Sequence, residues 1–298
     1  MNRREWIAAG AGLASAALIA PANAQPLTVL DVAYAGSMGS MMEGPVKTAV
    51  VKSLGVDIHG RAQGSDALAQ LIVSGTIAAD VFVPVTPGPM RTVLGARKVK
   101  RAIPIARTEM VIAYSPKSPV AASFVARPWY EVLQQPGVRF GRTDPATDPQ
   151  GRNIIFTLQL AELYYDRPGL AQKILGETIN PAQIFAEGSV EARLQSGELD
   201  AASAYKTQPG PFGLPFVRLP DEINLGNQSM SVRYAHASLE LNGKSYHPQA
   251  LVYYAAAIEG SRHAAKAQAF VNWFSGPEAK AILTQYAYDP PTGASILT

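Results

Sequence analysis

Hydrophobic and polar positions along this chain fall into a repeating unit. Short runs rich in β-branched and aromatic residues end in small-residue turns and pass into stretches with helical spacing. A strand at 27–34 (LTVLDVAY) ends in Ala35-Gly36-Ser37. A helical stretch follows, is broken at Gly44-Pro45 and resumes to Leu54. A second strand at 56–61 ends at Gln63-Gly64-Ser65 and leads into a helix at 66–73. A third strand at 79–83 is followed by Thr86-Pro87-Gly88-Pro89 and a helix at 90–96. Repetition of strand, turn and helix predicts βαβ units with a parallel sheet. A continuous apolar strand at 109–114 then meets a proline-punctuated segment at 115–119, which reads as a boundary.

After that boundary the alternation restarts. Helices are predicted at 128–135, 153–165, 168–175 and 189–195, and strands at 138–140, 183–185 and 200–205. Two runs at 236–241 and 244–247, joined by Asn242-Gly243, predict a hairpin, because that dipeptide accepts the positive φ values of a tight two-residue turn. An apolar strand at 250–258 and helices at 264–274 and 277–286 close the chain, with Pro277 suited to a first helical turn. The restart predicts two lobes.

Candidate chemistry gathers at the strand ends. Two strands end in Gly-Ser at the start of a helix, where serine can cap and the first N–H groups have no partner in the helix. In a parallel sheet those turns converge on one edge, where open α/β sheets bind ligands. The polar loop at 141–151 (GRTDPATDPQG) also runs from a strand into a helix. Its Asp144 and Asp148 each precede proline. They suit turn and cap positions as well as ligand contact.

Composition narrows the function. With 298 residues, 47% hydrophobic and 16% charged, the chain can bury a sizeable core, and a formal charge of +3 without a basic stripe argues against nucleic acid. There are no cysteines, which excludes disulfides, thiolate metal sites and a lipidated cleavage cysteine. Residues 1–24 read as an export signal. Arg3-Arg4 are its basic region, with a twin-arginine character, 7–19 its short apolar run, and Ala22-Asn23-Ala24 an A-x-A cleavage site. The apolar run is too short to span a bilayer. The expectation is a periplasmic protein cleaved after Ala24, with no stable membrane insertion.

In order and spacing, several motifs together resemble one family. They are Tyr34-Ala35-Gly36-Ser37, Gly64-Ser65, the strand at 108–114, Trp129-Tyr130-Glu131-Val132-Leu133, Asp148-Pro149-Gln150-Gly151, LQLAELYY at 158–165, SGELD at 196–200, Tyr205-Lys206 and LPDEINL at 219–225. The chain resembles the periplasmic solute-binding proteins of ABC importers, and among them the molybdate/tungstate-binding proteins. The resemblance implies the two-lobed α/β fold of type II periplasmic binding proteins, with two strand crossings between lobes. Lobe one would comprise 25–112 plus 250–298 and lobe two 113–249, hinged near 114–117 and 248–252. It implies ligand contacts from Gly36, Ser37, Ser65, Asp148, Pro149, Gln150, Glu187 and Tyr205. Asp148 and Glu187 would ligate the Mo or W centre of the bound oxyanion. Gln150 stands where the family often has Cys, and Arg152-Asn153 replace Tyr-Arg-Ser. The resemblance implies a non-enzymatic, monomeric protein with no cofactor beyond its transported molybdate or tungstate, and an ABC permease in the inner membrane as partner.

Two other readings stay open on the residues. A protein of the same fold could bind ferric ion, with Tyr164-Tyr165 as tandem tyrosine ligands, or another anion. A secreted hydrolase could draw a carboxylate pair from Asp144, Asp148 and Glu187 and use His247 as a base, although no G-x-S-x-G or H-E-x-x-H motif is present.

Overall fold

The structure, a computed structural model, describes residues 27–186 and 188–298. The export segment and Glu187 lie outside the described residues. In chain order the strands are β1 (Thr28–Ala35), β2 (Val56–Gln63), β3 (Val81–Val83), β4 (Ile103–Arg107), β5 (Met110–Tyr114), β6 (Phe140–Gly141), β7 (Ala201–Tyr205), β8 (Phe216–Arg218), β9 (Leu239–Leu241), β10 (Lys244–Tyr246) and β11 (Val252–Ala257).

Two sheets organise the molecule. The first has the order β2-β1-β3-β11-β4, and the second β6-β7-β5-β8. As the βαβ pattern requires, β1 runs parallel to both β2 and β3, and β11 returns antiparallel between β3 and β4. The second sheet is mixed, with β6 parallel to β7 and β5 antiparallel to β7 and β8. This is the two-lobed fold of periplasmic binding proteins. The chain crosses from the first sheet to the second between β4 and β5, and returns between β10 and β11. The crossings lie side by side, since Thr108 N donates to Leu251 O at 2.9 Å. The first crossing therefore sits at 108–109, ahead of the expected hinge at 114–117. Tyr114 and Ser115 are already tied into lobe two through Pro215 O and Asp200 O.

Local chemistry explains most element boundaries. The helix Lys47–Leu54 ends at Gly55 and the helix Ser65–Ser74 at Gly75, both in the left-handed conformation that glycine adopts without cost. The predicted break at Gly44-Pro45 is a wide π turn over Met42–Val46 leading straight into the next helix. Widening the turn accommodates a proline that cannot donate. At the hairpin, Asn242 (φ 53°) and Gly243 (φ 71°) take the expected turn.

Two strands have little signal in the sequence. Pro104 lies in β4, but β4 is an edge strand, where a missing N–H is tolerated, and its pairing with β11 is irregular beside Tyr253 and Tyr254. β8 is three residues long and also at an edge. The helix Pro149–Tyr165 is buried on nearly all sides from Pro149 to Leu158. It is the core element of lobe two, which is why its apolar residues are not confined to one face.

Candidate functional site

The first turn of the helix Pro149–Tyr165 carries much of the site. Asp148 is its N-cap, with Oδ1 accepting from Gln150 N at 2.9 Å. Gln150 turns its side chain into lobe two, donating to Gln208 Oε1 at 2.7 Å and Ser203 O at 3.4 Å. Gly151 lets the helix press against the preceding loop. A Cβ there would stand 2.4 Å from Thr143 O and 2.6 Å from Pro145 N. Arg152 donates to Pro145 O at 2.8 Å and pairs with Asp66 of lobe one. Asn153 donates to the Tyr205 hydroxyl at 3.1 Å. Asp144 closes a local turn by accepting from Ala146 N at 2.8 Å.

Across from this turn, the parallel pairing of Ala35 with Gln63 sets Gly36 and Gly64 side by side at the ends of β1 and β2. Gly64 caps the ten-residue helix Ser65–Ser74. A Cβ on Gly64 would lie 2.9 Å from Thr147 O and 3.5 Å from Asp148 Cα, so the lobes touch here through backbone. Helices from opposite lobes thus bring their N-termini together, each with the partial positive charge of a helix end, although in lobe two Pro149 has no N–H and Asp148 Oδ1 already takes Gln150 N. A cleft cavity of about 400 Å³ opens beside the contact. Gly36, Gly64, Thr143, Asp144 and Asp148 line it, together with Ala186 and Gly188.

Asp148 is 6% exposed, and its Oδ2 has no hydrogen-bond partner among the described residues. Burial pushes its carboxyl above the usual range, against the lowering effects of the Gln150 N–H, the nearby Thr143 hydroxyl and the Arg152 guanidinium. The helix Val190–Ser196 presents a second buried carboxyl, Glu191, also raised by burial and by the Asp148 charge. In sequence Glu191 looks like an exposed first-turn acid. Only tertiary packing reveals its burial. Arg142, fully buried, donates to Glu177 O (3.0 Å), Thr178 O (2.8 Å) and Gln183 Oε1 (3.3 Å), fixing the segment that leads to the cleft wall. Burial lowers its guanidinium to about 10.

The other expected ligand residues are placed as follows. Ser37 Oγ hydrogen-bonds Tyr253 Oη at 3.0 Å, and Ser65 Oγ accepts from Val85 N at 3.3 Å across the ends of β2 and β3. Pro149 lines a second interlobe cavity of about 370 Å³, on the Asp66 and Arg152 side of the contact. Tyr205 is buried beneath the helix. The structure therefore brings Gly36, Gly64 and Asp148 together at the cleft cavity. Ser37, Ser65, Gln150 and Tyr205 engage partners within their own lobes.

The tandem tyrosines are not at the cleft. Tyr164 and Tyr165 end the helix that Asp148 begins, about 25 Å away at 1.5 Å per residue. Tyr165 packs with Trp129 and Tyr130, and Arg233 stacks on Tyr164. His247 is exposed, 3.4 Å from Ser245 Oγ, and lines the second cavity, which Asp148 does not. Among the described residues no group of three or more His, Cys, Asp or Glu could hold a metal ion, and no helix is long and apolar enough to cross a membrane.

Two lobes, paired crossings and an interlobe cleft define a solute receptor. The chain belongs to the family of bacterial extracellular solute-binding proteins, whose profile it matches over residues 30–289. It is 29% identical over 252 residues to an uncharacterized solute-binding protein of Petrotoga mobilis, covering 81% of this chain and 78% of that one. It is 26% identical over 290 residues to the molybdate/tungstate-binding protein WtpA of Thermococcus kodakarensis, covering 88% and 82%. Among solved structures it is similar to the periplasmic molybdate-binding protein of Azotobacter vinelandii, with a TM-score of 0.60, 18% identity, and coverage of 87% of this chain and 98% of that one. At that identity the structural likeness speaks for the fold.

Proposed function

We propose that this chain is the periplasmic solute-binding component of an ABC importer and captures molybdate or tungstate between its lobes. One observation carries the reading. Two helix N-termini, one from each lobe, meet beside a buried carboxylate oxygen that accepts no hydrogen bond from the described residues. Helix ends favour an anion, whereas a bare carboxylate repels one. An oxyanion with a hard, expandable centre satisfies both, because its oxygens take the N–H groups while the metal accepts the carboxylate. Sulfur and phosphorus do not add such ligands, so the same carboxylate would disfavour sulfate and phosphate. The names of the Thermococcus relative and of the Azotobacter structure point to the same ligand class.

On this reading Gly36, Ser37 and Ser65 hold oxyanion oxygens with their turns, and Asp148 and Glu187 ligate the metal centre. Pro149, Gln150 and Tyr205 shape the turn that presents Asp148. The oxyanion is cargo, and the protein has no catalytic residue. It works as a monomer, exported and cleaved after Ala24. Closure about the crossings presents the loaded form to an inner-membrane permease.

A thermal-shift series on residues 25–298 with molybdate, tungstate, sulfate, phosphate and ferric citrate tests the assignment. A ligand at a thousand times its Kd adds about 4 kcal/mol of stability. Molybdate and tungstate should raise Tm while sulfate and phosphate do not. An equal response to sulfate would mean plain anion binding, and a response to iron alone would replace the oxyanion reading with a cation one.

A further inference from the structure

Arg152 is charged, yet it is only 5% exposed. Its guanidinium is shared among three parts of the molecule. Nη1 donates to Pro145 O at 2.8 Å, inside the loop that ends in Asp148. Nη2 pairs with Asp66 Oδ2 in the first turn of the lobe-one helix Ser65–Ser74. Its Cζ lies 4.5 Å from the centre of the Tyr246 ring, on the hairpin before the second crossing. Arg152 is therefore a bracket with one arm on the Asp148 loop and the other on the opposite lobe. Asp66 has a side chain 36% exposed and lies two residues from Gly64, where the lobes meet through backbone.

We propose that Arg152 and Asp66 are positioning residues for ligand capture, forming a latch between the lobes that holds the Asp148 turn against Gly64 in the closed protein. Neither needs to touch the ligand. When the cleft opens, Asp66 moves away with lobe one while the Pro145 contact stays within lobe two, so the ion pair exists only in the closed form. Loss of the latch should then shorten the life of the loaded complex more than it slows its formation, as for other charge pairs broken on dissociation. Arginine is required as well as a positive charge. Its planar fork serves Pro145 O and Asp66 at once, which an ammonium group does not reproduce.

This inference rests on the interlobe-capture reading, and its test is arranged to separate the two. The chain has no cysteines, so Lys52→Cys in lobe one and Val125→Cys in lobe two, both exposed, give a clean spin-label pair for interlobe distances. These are recorded with and without molybdate, at low salt and at 1 M NaCl, in the parent and with Asp66→Asn. The expected result is a longer, broader distance distribution in Asp66→Asn. High salt should move the parent part of the way toward it and leave the variant unchanged, because salt reaches the partly exposed Asp66 carboxylate while Arg152 is buried. Stopped-flow release of molybdate should be about tenfold faster in Asp66→Asn, equivalent to about 1.4 kcal/mol, with little change in association rate. Arg152→Lys should fall between parent and Asp66→Asn, and Asp66→Glu should restore most of the closed population. Distances and release rates identical to the parent would overturn the latch. If molybdate has no effect on the parent, the oxyanion reading fails, and the salt-dependent difference recorded without molybdate still decides the latch.

Discussion

Substituting Gly64 separates closure from folding, because its close neighbours belong to the other lobe. An alanine Cβ at Gly64 would stand 2.9 Å from Thr147 O and 3.5 Å from Asp148 Cα. Both are backbone positions with no side-chain rotamer to yield, so the lobes must part by a few tenths of an ångström. Overpacking of this kind costs about 1–3 kcal/mol. Here that cost falls on the closed form alone. The backbone of Gly64 (φ −55°, ψ 129°) suits alanine, leaving only the weaker capping of alanine as a local cost, about 0.5–1 kcal/mol.

Calorimetric titration with molybdate should show Kd rising about tenfold, taking 1.4 kcal/mol per decade, while the unliganded Tm falls by roughly 1–4 °C. Gly64→Ser adds the same Cβ with a better cap, so it should recover Tm and keep the weakened affinity. Unchanged affinity in both variants would show that this backbone contact does not form in the loaded protein. A large fall in Tm without loss of affinity would place Gly64 in the folding core instead.

Gly151→Ala makes the opposite prediction. Its would-be Cβ sits 2.4 to 2.7 Å from three backbone atoms of its own lobe, so the loss should appear as about 3 kcal/mol of stability and a Tm lower by roughly 10 °C in the unliganded protein. Asp148→Asn keeps an oxygen for the cap and removes the buried charge. Unliganded stability near neutral pH should hold or rise while molybdate affinity falls, whereas Asp148→Ala should also lose about 1 kcal/mol from the cap. Acid titration by circular dichroism should show lobe two depending on Asp200. Burial alone raises its carboxyl, but hydrogen bonds from Arg139 and Ser118 outweigh that and hold it at about 2. Its folded pKa is depressed, so its stabilisation of about 2 kcal/mol is present above the ordinary carboxyl pKa and lost as pH falls through about 2. Asp200→Asn should flatten that acid limb. The raised carboxyls of Asp148 and Glu191 have the reverse sign. Their contribution is complete below the ordinary carboxyl pKa and is lost as pH rises through their folded values.

Much of this architecture is legible in the sequence because local chemistry and tertiary structure agree. The Gly-Ser turns after β1 and β2 mark the sheet edge where the cleft forms, and Asn242-Gly243 marks the hairpin. Asp148 shows why site residues are harder to read. Asp before Pro signals a cap, and the structure confirms the cap through Oδ1. The buried, unpartnered Oδ2 depends on how lobe one covers the turn, which no local pattern encodes. Gln150 lies in the same motif but faces inward, because the first helical turn sends successive side chains in different directions. Arg152 resembles an ordinary helical cation until its partner 86 positions away is known. Tyr164-Tyr165 shows the converse, a chemically suggestive pair at the far end of a helix whose first turns are buried. The edge strands β4 and β8 escape notice because proline and brevity erase the alternation on which strand reading depends.

In the proposed capture, a carboxylate of the protein enters the coordination sphere of the bound metal. X-ray absorption spectroscopy on protein saturated with molybdate, repeated on tungstate and on Asp148→Asn, measures this directly. Direct ligation should give an expanded sphere with added oxygen ligands at longer distance in the parent, reverting toward the tetrahedral spectrum in Asp148→Asn. A tetrahedral spectrum in the parent, indistinguishable from free molybdate, would contradict it and leave a receptor that holds its anion by N–H groups alone.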